Sequence, residues 1–227
     1  MSKTFNLREV TIPRGWLVSI DQEVIRFVSD LKTSDHIIFF YDTLQRKHNI
    51  LFSFLSSGLA NRKGAFYVCS EETPHDIRRN MESFGMEVKE SEAEGKLMIR
   101  DYTEWYIQGG QVESMKILAG WKETYEKFSK KGLGLRATGE MAWFFQHNMV
   151  KELLRYEYAL HRVLDIPMEA ICAYNINTIV DSGHTEVIMP LVRAHGWAVF
   201  TGPGGNMIYE PENVEDYDIE RLLQIRI

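Results

Sequence analysis

One cation and two carboxylates stand just beyond two apolar segments of the chain. Lys47 begins a helical segment that follows the apolar residues 36–40, and Glu71 and Glu72 follow the apolar residues 65–69. A lysine at the start of a helix after a buried strand is the placement from which phosphate-binding loops hold phosphate oxygens. Open parallel sheets bind ligands outside the carboxyl ends of their strands. We therefore expect a ligand site where these charged residues meet.

Short β-rich segments alternate with longer segments of helical period, as in βαβ units. We predict strands at residues 36–40, 65–69, 96–100, 133–138, 169–174 and 197–201, and helices at 50–59, 73–84, 112–131, 146–164 and 185–195. The alternation predicts an α/β fold whose central sheet is mainly parallel and carries helices on both faces.

No low-complexity linker or repeat divides the chain. We predict that residues 1–34 form an N-terminal appendage packed on the core, and that residues 35–227 form a single domain. Within the appendage, residues 15–20 are expected to add an edge strand and residues 22–31 a helix. Residues 207–209 are expected to form a last edge strand.

The stretch from Lys47 to Leu97 resembles the KaiC-like ATPases of the RecA class. The similarity lies in Gly58-Leu59 at a helix end, in Gly-Ala-Phe-Tyr-Val-Cys-Ser-Glu-Glu-Thr-Pro at 64–74, and in Glu-Gly-Lys-Leu at 94–97. This resemblance implies a RecA/KaiC-like fold. It also implies that Glu71 and Glu72 correspond to the acidic pair that activates water in those enzymes.

The phosphate loop itself departs from the GxxxxGK[ST] pattern, in which glycines turn backbone amides toward phosphate and the final hydroxyl holds magnesium. The corresponding positions here carry Tyr41, Arg46, Lys47 and His48. The second acidic motif is also changed, because the apolar segment ending at Thr138 is followed by Glu140 and not by an aspartate. We expect no appreciable magnesium-dependent ATP hydrolysis and assign no catalytic residue.

This set of changes resembles the MEDS family, the DcmR-like sensory domains considered degenerate relatives of KaiC. The residues that carry the resemblance are His36, Phe40-Tyr41, Gly58-Leu59, the segment from Leu135 to Trp143, Tyr156-Glu157, the segment from Ala170 to Tyr174, and His195. The resemblance implies signal input from a small molecule and not turnover. Since no helix-turn-helix segment stands apart, output is expected to pass through a partner signalling protein or a homo-oligomer.

Nine residues are candidates for ligand binding. They are His36, Tyr41, Lys47, His48, Glu71, Arg136, Glu140, Trp143 and Tyr174. All but His36 are expected around one cleft at the strand carboxyl ends, with the loop of residues 41–48 facing Arg136 and Glu140. Structural interpretations stay open: solvated helix-start residues (Lys47, His48), an ion pair (Arg136 with Glu140), core aromatics (Trp143, Tyr174) and a histidine satisfied by a neighbouring loop (His36).

The sequence gives no metal motif and names no cofactor. It has seven histidines but neither HxxxH nor HExxH. Cys69 and Cys172 each lie within an apolar segment and are expected to be packed thiols.

The formal net charge of −6 argues against a general nucleic-acid surface, which needs clustered Lys and Arg. No apolar run approaches the roughly 20 residues that span a bilayer, and the first residues lack the layout of a signal peptide. We expect a cytoplasmic protein that binds neither nucleic acid nor membrane.

Three hypotheses follow for the function. The first is a non-catalytic small-molecule sensory domain with a degenerate phosphate-binding loop. The second is a KaiC-like nucleotide-binding regulator, favoured by Lys47 with Glu71 and Glu72. The third is a structural assembly module.

Overall fold

The computed structural model describes residues 22–107 and 109–211. Their strands are β1 (His36–Tyr41), β2 (Lys63–Cys69), β3 (Leu97–Asp101), β4 (Gly134–Glu140), β5 (Met168–Asn175), β6 (Trp197–Gly202) and β7 (Gly205–Tyr209). They form one sheet in the order β3-β2-β4-β5-β1-β6-β7. Every neighbouring pair is parallel except β6 with β7. The predicted mainly parallel sheet is confirmed.

The helices are α1 (Gln22–Ser29), α2 (Leu44–Ala60), α3 (Pro74–Phe84), α4 (Val88–Ala93), α5 (Tyr102–Trp105), α6 (Ser114–Ser129), α7 (Ala142–Gln146), α8 (Val150–Arg162), α9 (Ile176–Asp181) and α10 (Ile188–Ala194). A 3₁₀ turn, Thr185–Val187, precedes α10. None of the described helices combines the length and apolarity that crossing a membrane requires.

Helices cover both faces of the sheet because successive strand residues point to opposite sides. In β1, Ile37 and Phe39 pack with α1 to α4, whereas Ile38 and Phe40 pack with α6 to α10. Burial on both faces explains why the central strands are continuous apolar runs instead of alternating ones. The helices on both faces were predicted from the same runs.

The helix predicted at residues 146–164 is confirmed as α8, but it begins later than predicted, at Val150, because the chain first forms the separate short helix α7. Asn148, between them, has a φ of 55°. Asparagine tolerates this left-handed conformation better than most residues, but the conformation cannot continue a right-handed helix. The break lets α7 follow β4 closely while α8 returns along the sheet.

At the two ends of the described chain, α1 covers part of one face of the sheet and β7 forms an edge strand. The predicted helix at residues 22–31 is confirmed as α1, which buries Val24 and Val28. The predicted edge strand at residues 207–209 is confirmed within β7, joined to β6 by a tight turn. The strand predicted at residues 15–20 lies outside the described residues.

Candidate functional site

Lys47 is fully buried at the carboxyl end of the sheet and is surrounded by three carboxylates. Its Nζ lies 2.7 Å from Glu140 Oε1, 3.1 Å from Glu72 Oε2 and 3.4 Å from Glu71 Oε2. The first turn of α2 carries Lys47, and Thr43 caps that helix by accepting from the Arg46 amide. The interpretation of Lys47 as a solvated lysine is wrong. We call these four residues the lysine network.

Glu140 is held on every side by donors. Its Oε2 accepts from the backbone amides of Ser70, at 2.6 Å, and Glu71, at 2.7 Å, and its Oε1 accepts from the Tyr67 hydroxyl at 2.6 Å. Together with Lys47, these donors surround Glu140 as an anion site surrounds its ligand. The protein therefore supplies its own anion to the lysine.

Three more side chains close the network toward solvent. Tyr41 donates its hydroxyl to Glu71, and Asn175 donates to the other oxygen of Glu71 at 2.6 Å. His48 Nε2 lies 2.5 Å from Glu72 Oε2. The structure thus brings Tyr41, Lys47, His48, Glu71 and Glu140 together, as predicted. It also adds Glu72 and Asn175, which were not among the nine candidates.

The pKa values of the network follow from burial and from these contacts. Burial alone would lower the pKa of Lys47, but the charges of Glu140 and Glu71 outweigh burial and raise it. Burial would raise the pKa of Glu72, yet the hydrogen bond with His48 and the charge of Lys47 lower it to about 2. Burial and the neighbouring carboxylates raise the pKa of Tyr41. At neutral pH Lys47 is therefore a cation facing an ionised Glu72, beside a neutral Tyr41.

Arg136 does not join the network, contrary to the expected cleft. It lies four residues before Glu140 on β4, which corresponds to about 13 Å along a strand. Its guanidinium pairs with Glu169 and donates to the carbonyls of Phe54, at 2.7 Å, and Ser29, at 2.9 Å. The Arg136–Glu140 ion pair is therefore wrong, since Arg136 pairs with Glu169 and Glu140 pairs with Lys47.

Trp143 and Tyr174 lie in the core on the opposite face of the sheet from Lys47. Trp143 is 1% exposed and stacks on Phe144 with 3.8 Å between ring centroids. Tyr174 is fully buried and donates to Glu157 Oε1 at 2.5 Å. This placement matches the interpretation of both residues as core aromatics.

His36 lies at the amino end of the central strand β1, where it contacts two other histidines. Its ring stacks on His161 at 4.2 Å between centroids and contacts His195 edge-on at 4.7 Å. These three histidines and Glu157 could hold a metal ion, with candidate ligand atoms all within 4.8 Å of one another. Sequence reasoning missed the group because no local motif joins its members. Its only sequence signal is that three of the four residues, His36, Glu157 and His195, belong to the pattern that resembles the MEDS family.

A groove of about 330 Å³ lies away from both groups of side chains, at the carboxyl end of α2. Its lining includes Ser56, Leu59, Glu90 and Lys96, and it contains none of the nine predicted site residues. The groove is therefore separate from the lysine network, and its lining does not make it the predicted ligand site.

Solved structures that resemble the chain define its class as a KaiC-like α/β fold. The KaiC-like protein PH0186 from the archaeon Pyrococcus horikoshii is 16% identical, with a TM-score of 0.53 over 74% of this chain and 71% of that one. PH0321 from the same organism, an uncharacterised protein crystallised with an unknown peptide, is 14% identical, with a TM-score of 0.60 over 82% and 86%. At these identities the likeness concerns the fold alone.

The family model for MEDS, the methanogen/methylotroph and DcmR sensory domain, matches residues 35–195. The chain belongs to this family. No curated protein matches the chain. The family and the KaiC-like fold support a sensory or regulatory role.

Proposed function

We propose that the chain is a non-catalytic sensory domain in which internal carboxylates have replaced the nucleotide phosphates of its ATPase relatives. The observation that carries the proposal is the contact of buried Lys47 with Glu140 at 2.7 Å, with Glu71 and Glu72 completing its shell. A phosphate group arriving at Lys47 would have to displace ion pairs that the chain already makes.

Charge supports the same conclusion. Lys47 contributes one positive charge and faces the side chains of Glu71, Glu72 and Glu140, so the network favours cations and hydrogen-bond donors over a triphosphate. Tyr41 and His48, which stand where a phosphate loop has glycine and a hydroxyl, fill the remaining space with side chains. Magnesium would also lack its usual hydroxyl ligand.

The input that fits this site is a small organic molecule. Glu71 and Glu72 keep 11% and 12% of their side chains exposed, so a ligand at the strand carboxyl ends can reach them without unfolding the core. We propose that such a ligand exchanges hydrogen bonds with Tyr41, Glu71 and Asn175, and that the loop of residues 41–48 passes the change to a partner signalling protein or a second copy of the chain. Arg136 has no part in this site, because its contacts lie at the other end of β4.

Nucleotide titration tests the central claim. We expect no saturable MgATP binding and no hydrolysis by the wild-type chain, and tighter binding of the nucleotide by a Glu71→Gln/Glu72→Gln variant, because that variant loses the competing charges. Glu123→Gln, which changes an exposed carboxylate on α6, is the matched control. Native mass spectrometry of the freshly purified chain identifies any retained small molecule.

Two results would decide against the proposal. Hydrolysis that disappears in Lys47→Met would favour a KaiC-like nucleotide-binding regulator. Tight MgATP binding by the wild type, unchanged in the double variant, would show that the carboxylates do not occupy the phosphate position.

A further inference from the structure

Four metal-binding side chains converge at the amino edge of the sheet. His36 is the first residue of β1, His161 lies in the last turn of α8, and His195 follows α10. Glu157 lies one turn before His161, so both side chains share one side of α8. Each residue offers a ligand atom, and these atoms lie within 4.8 Å of one another. We call this group the histidine cluster.

His195 is oriented as a metal ligand would be. Its Nδ1 lies 2.7 Å from the carbonyl oxygen of Leu191, which can only accept, so Nδ1 carries the proton and Nε2 carries a lone pair. That Nε2 is buried, has no hydrogen-bond partner among the described residues and lies 3.6 Å from Glu157 Oε2. Fixing one ring nitrogen by a backbone carbonyl while the other faces the ion is the usual arrangement around metal-bound histidines.

His161 and Glu157 present their atoms to the same point. His161 Nε2 is also buried, finds no hydrogen-bond partner in the described part of the chain and lies 3.8 Å from Glu157 Oε2. The other oxygen of Glu157 accepts from Tyr174 at 2.5 Å, which fixes the carboxylate and leaves Oε2 toward the histidines. A buried polar atom without a hydrogen-bond partner destabilises a fold, so two of them at one point call for a physical cause.

We propose that His36, His161, His195 and Glu157 bind one divalent transition-metal ion of the kind that takes imidazole and carboxylate ligands, such as Zn²⁺, Co²⁺ or Fe²⁺. Bonds of about 2.1 Å would separate the ligands by about 3.0 to 3.5 Å, so binding contracts the cluster by roughly an ångström. His161 keeps 16% of its side chain exposed, so the cluster lies close to solvent.

The electrostatics of the cluster support the proposal. Burial lowers the pKa of His36, His161 and His195, the last to about 4, so that all three are neutral at pH 7, as metal ligands must be. Burial raises the pKa of Glu157 to about 7, and a bound cation would favour its ionised form. Cys172 Sγ lies 3.1 Å from His36 Nε2 and is a further donor at the edge of the cluster.

The site is separate from the lysine network. His36 and Tyr41 are the two ends of β1, about 16 Å apart along the strand, and their side chains lie on opposite faces of the sheet. Metal binding therefore does not depend on the proposed sensory site, and either proposal can fail alone.

Metal titration of the full chain tests the inference. The chain is stripped with a chelator and titrated with Zn²⁺ at pH 7.5 against a chromophoric competitor. We expect one Zn²⁺ per chain, and a loss of affinity of about 100-fold or more in both His36→Gln and His161→Gln. His184→Gln, which changes a histidine near Glu186 outside the cluster, should bind as the wild type does.

Co²⁺ provides a readout that needs no variant. Bound in the cluster of the wild-type chain, it should give visible ligand-field bands, and a sulfur-to-cobalt charge-transfer band would add Cys172 to the ligands. Far-UV circular dichroism confirms that each protein tested is folded. The inference is overturned if the folded wild type takes up no Zn²⁺ saturably and gives no visible Co²⁺ bands. It is equally overturned if both cluster variants bind as the wild type does.

Discussion

A buried lysine among three carboxylates is an unusual arrangement, because charges are rarely fully buried unless they are paired. Here Lys47 contacts Glu140, which is itself satisfied by two backbone amides and the Tyr67 hydroxyl. Removing one member of such a group leaves the others buried and unpaired, which is more costly than the net gain from the intact group. Substituting one member alone should therefore cost more stability than replacing the whole group by apolar residues of similar size.

Glu72 makes the network sensitive to acid. Because its pKa falls from an ordinary 4.5 to about 2 on folding, the folded chain binds this proton less readily than the unfolded chain. The resulting stabilisation is present above about pH 4.5 and is lost as the pH falls toward 2. We expect Glu72→Gln to lower the free energy of unfolding by about 1–3 kcal/mol at pH 7 and by progressively less below pH 4.5.

Urea unfolding at pH 7, 5 and 3.5 measures this difference, with Glu123→Gln at an exposed position of α6 as the control. A difference between wild type and Glu72→Gln that stays the same at all three pH values would contradict the assigned role of the carboxylate.

At the scale of elements, α2 joins the two ends of β4. Its first turn carries Lys47, which contacts Glu140 at the carboxyl end of β4. Its last turns carry Ser57 and the carbonyl of Phe54, both of which accept from Arg136 near the amino end. Arg136 also donates to the carbonyl of Ser29 and thereby attaches α1 to the same face. The residue first expected in the ligand site therefore holds three elements together.

Gly58 allows this close approach of α2 to β4. A Cβ atom at this position would lie 2.4 Å from Arg136 Cδ, and the Arg136 side chain is fixed by its hydrogen bonds and cannot move away cheaply. Gly→Ala within a helix normally stabilises by up to about 1 kcal/mol. We expect the opposite sign for Gly58→Ala, a loss of about 1–3 kcal/mol in the free energy of unfolding.

Denaturant unfolding of Gly58→Ala beside Gly120→Ala measures the effect. The nearest atom to a Cβ at Gly120 in α6 is 3.3 Å away, so the control should cost less. Equal stability of the two variants would show that Arg136 adjusts freely.

At the scale of the whole molecule, the lysine network and the histidine cluster lie at opposite ends of the strands and on opposite faces of the sheet. The lysine network lies at the carboxyl ends with α2 and α3, and the histidine cluster lies at the amino ends with α8 and α10. Between them the sheet is packed with apolar side chains. Substitutions at separated sites without shared partners usually have additive effects.

We therefore expect the effects of Glu72→Gln and His161→Gln on the free energy of unfolding to add within about 0.5 kcal/mol. Urea unfolding of the wild type, both single variants and the double variant gives the coupling. A coupling energy above about 1 kcal/mol would reveal communication across the sheet that the contacts do not show.

The sequence by itself determined the strands, most of the helices and the class of the fold, because short apolar runs, helical periods and helix caps are local signals. Thr73 with Pro74 marks the start of α3, for example, and the short run 36–40, rich in isoleucine and aromatic residues, indicates a strand buried on both faces. The placement of Tyr41, Lys47 and Glu71 at one edge followed from the same logic, since residues just after parallel strands meet at the carboxyl end of the sheet.

Only the tertiary structure decided which side chains touch. Arg136 and Glu140 lie near opposite ends of β4 and therefore do not meet. The first turn of α2 lies beside the carboxyl end of β4, so Lys47 pairs with Glu140. The histidine cluster depends on strand order: β1 lies between β5 and β6, and the helices that precede those two strands end at the amino edge beside His36. Strand order is set by long-range packing, so the spacing of the histidines along the sequence could not predict that they meet.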